Sequence, residues 1–463
     1  MFAKRRWLLC SAVFVAACGG DDALTSGNSP SVAVPLVAQA AVLGVPFTFD
    51  VAPGFVDPKR QGLTYSASFT PANTTCLSFA NGRISGTPDA LGIITAKIVA
   101  HDAAGDSATQ TVAVVVFAQG LTAPVLPANP LAYADLRSPL PTSYLVLNGP
   151  GGSAIGKSNA PPTNQTTDAG ATLGRVLFHD TRLSANDRVS CASCHVQKFG
   201  FADTAQFSTG FAGGKTPRHS PGIANTRFYV NGRAFWDDRA ASLEAQALLP
   251  IQNAVEMGLT LDQLVLKVKA TSFYPPLFQA AFGTSEVTTM RVSQAIAQYV
   301  RSIVSYGSRF DSLFPPGAVN PNIAMLTAQE AQGLNLFNGQ GRCAQCHWTN
   351  AHASDNPHNT GLDASVTDTG SGSGRFKAPS LRNVDVRGRF MHDGRFTSLN
   401  QVVAFYSDSI QPNPFLDGRL RTPNGAPIRF AFTAAQRDAI VAYLRTLTDQ
   451  PLLKDARFSN PFP

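Results

Sequence analysis

The chain has 463 residues, enough for about three domains, and its 44% hydrophobic and 14% charged content is typical of a globular protein. Its formal charge is +7, but Lys4, Arg5 and Arg6 contribute three of these charges before any acidic residue occurs. The rest of the chain is nearly balanced, so the composition does not indicate a nucleic-acid-binding protein.

The first 18 residues have the pattern of a bacterial lipoprotein signal peptide. Lys4–Arg6 precede an apolar run over Trp7–Ala17 that is too short to span a bilayer. The tetrapeptide Val-Ala-Ala-Cys that ends at Cys18 resembles a lipobox, whose cysteine is lipidated and becomes the mature N-terminus. An ordinary cleaved signal with an incidental cysteine is the alternative. We expect an exported protein of the periplasm or cell envelope, held at the membrane only by a lipid on Cys18, with residues 19–31 as a tether.

Residues 32–118 have the pattern of a small β-sandwich. Ala96–His101 and Thr109–Val114 are rich in β-forming residues, with a turn predicted over Asp102–Asp106, and Asn81–Pro88 is rich in turn formers. This region resembles the immunoglobulin- or cadherin-like modules of bacterial surface proteins. It contains no cluster of catalytic residue types, which favours a spacer or adhesion role. Residues 119–165, rich in Pro, Gly, Ser and Asn, are predicted to be a linker.

Helical patterns follow the linker. Two apolar stripes have helical spacing, and two capping boxes mark helix starts at Thr327-x-x-Glu330 and Thr433-x-x-Gln436. The stripes consist of Leu173, Val176 and Leu177, and of Val292, Ile296, Tyr299, Val300 and Ile303.

Two C-x-x-C-H motifs lie within this helical region, at Cys191–His195 and Cys343–His347. This motif attaches c-type haem: the thiols of Cys191, Cys194, Cys343 and Cys346 bond to the haem vinyl groups, and His195 and His347 ligate the irons. A four-cysteine zinc site needs its two pairs much closer in sequence, and a thioredoxin-like pair needs no following histidine. We therefore predict two covalent haems in two mainly α-helical cytochrome c-type domains, 166–320 and 321–463, behind the all-β sandwich.

Residues from about 170 to 450 resemble the bacterial di-haem cytochrome c peroxidases, including their MauG-like branch. The matching segments lie in the family's order around the two motifs; they are Leu173–Phe178, Asp180–Ser184, Phe235–Ala240, Pro250–Met257, Phe376–Asn383 and Met391–Gly394. The resemblance implies that the first haem reacts with peroxide and the second transfers electrons. An iron that reduces peroxide needs an open sixth position, whereas one that only moves electrons is better six-coordinate.

The resemblance also implies residues for the peroxide site. Cleavage of the O–O bond needs a group that moves a proton from the near to the far oxygen, and the family's glutamate falls at Glu256. Gln246 matches a distal-pocket glutamine that could donate a hydrogen bond to peroxide. The alternative for Glu256 is an ordinary surface carboxylate, and the alternative for Gln246 is a solvated helix residue.

In the branch of this family that needs reductive activation, a distal histidine blocks the iron of the first haem at rest. No histidine occurs here between His195 and His219, and Phe211 aligns with the blocking ligand. We therefore predict an open, high-spin first haem, with His219 as the rival ligand. His219 aligns with an asparagine that helps to hold Ca²⁺ between the haems in the family, and this substitution argues against a bound Ca²⁺ because the ion prefers oxygen ligands.

The distal ligand of the second haem falls, by the same resemblance, at Tyr406, where electron-storing peroxidases have Met and the MauG-like branch has Tyr. A phenolate stabilises oxidised iron and lowers its reduction potential. Tyr406 also continues the helical stripe of Leu399, Val402 and Val403, so a core tyrosine is the alternative, and Met391 is a minor candidate ligand.

Trp236 matches the tryptophan that lies between the two haems of the family, where an indole can relay an electron; a buried core tryptophan is the alternative. Trp348, directly after the second motif, is outside the family's pattern, and a position at the haem edge or at a partner-docking surface would explain it.

Three functions remain open at this stage. The leading one is a haem peroxidase that reduces H2O2 to water with electrons from a c-type cytochrome or another small donor protein. The second is a MauG-like enzyme that uses a high-valent di-haem state to oxidise aromatic residues of a partner protein, which Tyr406 favours. The third is a non-catalytic di-haem electron-transfer cytochrome, against which Glu256 and Gln246 argue.

Overall fold

The computed structural model describes residues 29–72, 76–133, 140, 144, 158–229, 231–315, 317–318, 320–347, 349–354 and 356–463. Its N-terminal part is built of strands and the remainder mainly of helices. No helix in the described part of the chain is both long enough and apolar enough to cross a membrane.

The N-terminal part is a β-sandwich of two main sheets. Its strands are β1 Ser31–Val32, β2 Gln39–Val42, β3 Phe47–Asp50, β4 Phe55–Val56, β5 Thr64–Thr70, β6 Leu77–Ala80, β7 Arg83–Gly86, β8 Gly92–His101 and β9 Ser107–Phe117. One sheet has the order β2-β9-β8-β5 and the other β3-β7-β6, while β1 pairs with β4. Residues of both sheets, Ile84, Ile98 and Val114 among them, share one apolar core. The predicted sandwich is therefore confirmed.

Side-chain hydrogen bonds and residues with positive φ form the turns of two hairpins in this sandwich. The predicted turn between β8 and β9 is closed by the Asp102 carboxylate, which accepts from the backbone N–H groups of Ala104 and Asp106 at 3.0 and 2.9 Å. Asn81 and Gly82 both have positive φ, as a type I′ turn requires, and they join β6 to β7. The turn-rich stretch predicted over Asn81–Pro88 therefore also contains a strand.

Ten α-helices and two further short strands are described beyond residue 157. The helices are α1 Asp168–His179, α2 Cys191–Cys194, α3 Leu243–Gln252, α4 Leu261–Ala270, α5 Tyr274–Phe282, α6 Thr289–Ser302, α7 Arg309–Ser312, α8 Ala328–Asn338, α9 Leu399–Ala404 and α10 Ala434–Arg445. The strands β10 Pro357–His358 and β11 Phe376–Lys377 form a small antiparallel pair. Both predicted capping boxes are present, at the starts of α8 and α10.

The helices form two apolar cores, one around each C-x-x-C-H motif. In the first, α1 crosses α6 so closely that a Cβ on Gly174 would collide with the carbonyl oxygen of Ala295. In the second, α8 crosses α10 in the same way, with Gly333 against Ala439. The two halves of the helical region are thus built as repeats of one arrangement.

The sandwich is attached to the first half through polar contacts. The backbone N–H of Ala118 donates to Asp187 at 2.8 Å, and Asp187 also forms a buried ion pair with Lys267 on α4 at 2.6 Å. Tyr133 is buried in the first helical core, and its hydroxyl donates to the carbonyl of Arg457 at 2.6 Å. The described residues that follow the sandwich therefore pack along the helical region.

Candidate haem sites

The first C-x-x-C-H motif lines a cavity of about 660 Å³. Cys191 and Cys194 lie on the single turn α2, and His195 follows it. The His195 ring Nδ1 lies 3.0 Å from the carbonyl oxygen of Phe201, so Nδ1 carries the proton and Nε2 keeps its lone pair. Burial also lowers the pKa of His195, which favours the neutral imidazole that binds metal. Two thiols and an oriented imidazole in one cavity fit a covalently attached haem.

The second motif repeats this arrangement in a separate cavity of about 210 Å³, lined by Cys343, Cys346 and His347. The His347 ring Nδ1 lies 3.2 Å from the carbonyl oxygen of His352, and burial lowers the pKa of His347 to about 4. The residues therefore fit a second c-type haem.

The two C-x-x-C pairs line different cavities, so they do not form the four-cysteine zinc site that was the alternative. Within the described ranges, no group of three or more His, Cys, Asp or Glu residues could hold a metal ion.

Glu256, Gln246 and Pro250 line the first cavity together with His195. Gln246 and Pro250 come from α3, and Glu256 comes from the loop that follows it, where its backbone N–H donates to Asn253. Burial raises the pKa of the Glu256 carboxyl, although Arg239 opposes this shift. A carboxyl with a raised pKa in a cavity is suited to accept and return a proton.

Phe211, the residue aligned with the family's blocking histidine, is not among the residues that line the first cavity. Its backbone N–H donates to the carbonyl of Glu256 at 2.9 Å, and its ring packs so tightly on Gly258 that a Cβ there would collide with it. This position therefore presents no ligand to the cavity.

His219 lines both cavities and is 3% exposed. Its ring Nδ1 lies 3.1 Å from the carbonyl oxygen of Ala205, and its Nε2 has no hydrogen-bond partner among the described residues. Its backbone N–H donates to the carbonyl of His392 at 2.8 Å.

Trp236 also lines both cavities. Its indole Nε1 donates to the carbonyl of His219 at 2.7 Å, and its own carbonyl accepts from the backbone N–H of Lys377 at 2.8 Å. The indole is therefore held at the wall that the two cavities share.

A charge cluster beside Trp236 was not predicted from the sequence. Arg218 donates to both carboxylate oxygens of Asp368 at 2.7 Å and also pairs with Asp237. These two carboxylates lie near the residue that aligns with the calcium-binding asparagine, but an arginine already binds them.

Tyr406 lines the second cavity with His347, and so does Met391. The sequence stripe predicted a continuous α-helix through Tyr406. Instead α9 ends at Ala404, and Phe405–Ser409 form a π-helical turn, a feature often found at functional sites. Burial raises the pKa of the Tyr406 phenol above its ordinary value, so a nearby metal cation would favour the phenolate.

The repeat relates residues of the two cavities. Ser242 caps α3 and Ser398 caps α9, and the same spacing that leads from Ser242 to Pro250 leads from Ser398 to Tyr406. A sequence signal for this repeat exists but was missed: Trp236-Asp-Asp-Arg and His392-Asp-Gly-Arg precede these serines at matching positions. No sequence pattern indicated that the carbonyls of Phe201 and His352 orient the rings of His195 and His347. Trp348 and Cys18 lie outside the described residues.

Comparison with known proteins finds family matches in both the sandwich and the helical region. Residues 168–315 match the family described as di-haem cytochrome c peroxidase, and residues 29–117 match the family described as putative Ig domain. The chain is 35% identical to the methylamine utilization protein MauG of Methylorubrum extorquens over 305 residues, which cover 63% of this chain and 81% of that protein. It is 33% identical to the cytochrome c551 peroxidase of Nitrosomonas europaea, and the match covers 61% of this chain and 81% of that protein.

Solved structures are also similar to this chain. A MauG-like protein associated with microbial copper homeostasis superposes with a TM-score of 0.58 at 30% identity, covering 66% of this chain and 96% of that one. The di-haem peroxidase BthA of Burkholderia thailandensis has the same fold, with a TM-score of 0.53 at 23% identity and coverage of 73% and 99%.

Proposed function

Because the chain belongs to the di-haem cytochrome c peroxidase family, we propose that it reduces H2O2 to water with electrons from a c-type cytochrome or a similar small donor protein. The observation that carries this proposal is the difference between the two cavities. The first contains a protonatable carboxyl, Glu256, with Gln246 and the non-ligating Pro250, whereas the second contains the phenol of Tyr406. A site for peroxide chemistry and a site for electron transfer should differ in this way.

The side chains of the first cavity have distinct tasks in this proposal. When bound at His195, haem supplies an iron that can bind peroxide and accept electrons. Glu256 takes the proton from the near peroxide oxygen and delivers it to the far one, so that two electrons and two protons convert H2O2 into two waters. The Gln246 amide donates a hydrogen bond to the bound peroxide. Trp236 lies on the electron path from the second cavity.

The direct test is to mix the purified holoprotein with H2O2 and a reduced c-type cytochrome and to follow oxidation of the cytochrome. We expect turnover that depends on all three components. Oxidation no faster than that with H2O2 and cytochrome alone would contradict the proposal and favour the electron-transfer cytochrome.

A second function, oxidation of aromatic residues of a partner protein, is favoured by Tyr406 and by the similarity to MauG. Stopped-flow spectra of the fully oxidised protein after addition of H2O2 separate the two functions. A long-lived change in the absorption of both haems without prior reduction supports the second function. Activity only after one-electron reduction supports the conventional peroxidase.

We also propose export and a lipid anchor at Cys18, from the charged, apolar and lipobox segments of the sequence. Expression with radiolabelled palmitate should label the wild-type protein and the Cys10→Ala variant, since Cys10 lies within the signal. Cys18→Ala should abolish the label. A label that persists in Cys18→Ala would contradict the anchor.

A further inference from the structure

Within the described residues, Arg387 is a buried cation with no anionic partner. It is 9% exposed and lines the second haem cavity. One terminal nitrogen, Nη2, donates to the carbonyl oxygens of Ser380 and Arg382 at 2.9 and 2.7 Å. Its Nε is buried without a hydrogen-bond partner, and Arg387 forms no ion pair with any carboxylate in the described part of the chain.

Three other buried arginines of the helical region are paired with carboxylates, and a fourth, Arg175, forms no ion pair with a described carboxylate but donates its Nε to the carbonyl of Ser459 at 2.8 Å. Arg182 pairs with Asp180 at 3.0 Å, Arg301 with Glu244 at 2.6 Å, and Arg382 with Asp311 at 2.6 Å. A buried charge without a counter-ion is costly, and in proteins such charges are normally paired. Burial lowers the pKa of Arg387 to about 10, which still leaves the guanidinium charged at neutral pH. The cavity therefore contains a positive charge that requires an anion.

The guanidinium lies close to the wall between the two cavities. It packs against Gly222, where a Cβ would come within 2.9 Å of three guanidinium atoms, and Gly222 lines both cavities. Its charge also contributes to lowering the pKa of His219, after the larger effect of burial. Arg387 itself lines only the second cavity. An anion that pairs with it must therefore belong to what occupies that cavity.

We propose that Arg387 binds a propionate carboxylate of the haem attached at Cys343 and Cys346, with Nε as a donor. The propionates are the anionic groups of a c-type haem, whose vinyl groups are used by the thioether bonds. A charge-assisted hydrogen bond to a carboxylate satisfies both the orphan Nε and the unpaired charge. The guanidinium also stabilises the reduced iron, since reduction adds an electron near a positive charge. Arg387 thus raises the reduction potential that ligation by Tyr406 lowers.

Optical redox titration of the holoprotein tests the proposal independently of peroxidase activity. In Arg387→Gln, the reduction equilibrium of the second haem should shift at least tenfold toward the oxidised form, or 59 mV for one electron. The first haem should shift less. Arg387→Lys, which keeps the charge, should lie between Arg387→Gln and the wild type. Arg445→Gln is the matched control, because Arg445 is exposed on α10 and pairs with Asp385. A second-haem potential in Arg387→Gln equal to that of the control would overturn the proposal.

A second measurement uses only the wild type and Arg387→Lys, so that it does not depend on Arg387→Gln folding and retaining its haem. Both are produced with haem labelled with ¹³C at the propionate carboxyls, and infrared difference spectra are recorded on reduction. We expect an ionised, isotope-sensitive carboxylate band in the wild type that changes frequency in Arg387→Lys. Identical bands in the two proteins, or only protonated carboxylic acid bands in the wild type, would count against the proposal.

Discussion

Pro250 and Tyr406 occupy equivalent positions in the two repeats of the helical region. Each follows the capping serine of its helix at the same spacing, and each lines the cavity beside the ligating histidine of its own motif. A proline side chain offers no donor atom to a metal, whereas a phenol can become a phenolate ligand. We therefore propose that this one position of the duplicated unit leaves the first iron open and closes the second.

Substitution of Tyr406 tests this relationship. Tyr406→Met replaces a hard anionic ligand with a neutral thioether, so the reduction potential of the second haem should rise. Redox titration measures the change. Tyr306→Phe is the control, since Tyr306 does not line either haem cavity. A titration of Tyr406→Met that superposes on the wild type would mean that Tyr406 is not a ligand, leaving Met391 as the candidate.

The resting spin states test the open first iron. The electron paramagnetic resonance spectrum of the oxidised protein should contain one high-spin and one low-spin haem, because Phe211 does not line the first cavity. His219→Asn should leave the high-spin signal unchanged. A wild-type spectrum with only low-spin signals would contradict the prediction, and conversion to high spin in His219→Asn would identify His219 as the blocking ligand.

Short-range sequence patterns predicted much of this structure. The capping boxes at Thr327 and Thr433 open α8 and α10 because each side chain bonds a backbone N–H within the same turn. The β8–β9 hairpin and the two C-x-x-C-H motifs also depend only on residues that are close together in the sequence. Residue types within a few positions determine such features, so a single sequence contains the information for them.

Other features depend on packing between distant segments. The π-helical turn at Phe405–Ser409 interrupts an apolar stripe that has the spacing of one continuous α-helix. Hydrophobic periodicity cannot distinguish a continuous α-helix from one that ends in a π-helical turn. The orphan Nε of Arg387 becomes visible only when the residues around it are known. The proximity of Trp236 to His219 is likewise a tertiary contact. The family resemblance placed Trp236 between the haems, but the carbonyl that orients it required the structure.

Glu256→Gln should slow peroxide turnover roughly 10²-fold or more, as expected when an acid–base group is lost from a proton-transfer step. The haem spectra should remain those of the wild type, since the amide is nearly isosteric with the carboxyl. The measurement is kcat with saturating reduced cytochrome. Glu286→Gln, which alters an exposed carboxylate on the same half of the helical region, should retain full activity. Equal rates for the two variants would remove Glu256 from the mechanism.

Trp236→Phe removes the indole and its hydrogen bond to the carbonyl of His219. If the indole relays electrons, oxidation of the second haem after mixing the reduced protein with H2O2 should become slower, while binding of peroxide at the first haem should not. Stopped-flow spectroscopy follows the two haems separately. If Trp236 only fills space, the variant should lose thermal stability without a slower electron-transfer phase, and that result would exclude the relay.

The Glu244–Arg301 pair should stabilise the first half of the helical region in a pH-dependent manner. Two charge-assisted hydrogen bonds, at 2.6 and 2.9 Å, join the guanidinium to both carboxylate oxygens, and Arg301 is 1% exposed. Burial alone would raise the pKa of Glu244, but the bonds from Arg301 and Asn164 lower it to about 2. Because the folded pKa lies below the unfolded value of 4.5, the stabilisation is complete above pH 4.5 and is lost as the pH falls toward 2.

Glu244→Gln leaves the buried Arg301 without its counter-ion, so the free energy of unfolding at pH 7 should fall by about 3 kcal/mol. Thermal unfolding followed by circular dichroism should show a lower midpoint for Glu244→Gln than for the wild type, with a difference that narrows between pH 4.5 and 2. Glu286→Gln serves again as the control, because its carboxylate is exposed and should contribute little. A midpoint difference that stays constant as the pH falls through this range would show that the ionised carboxylate of Glu244 is not the stabilising group.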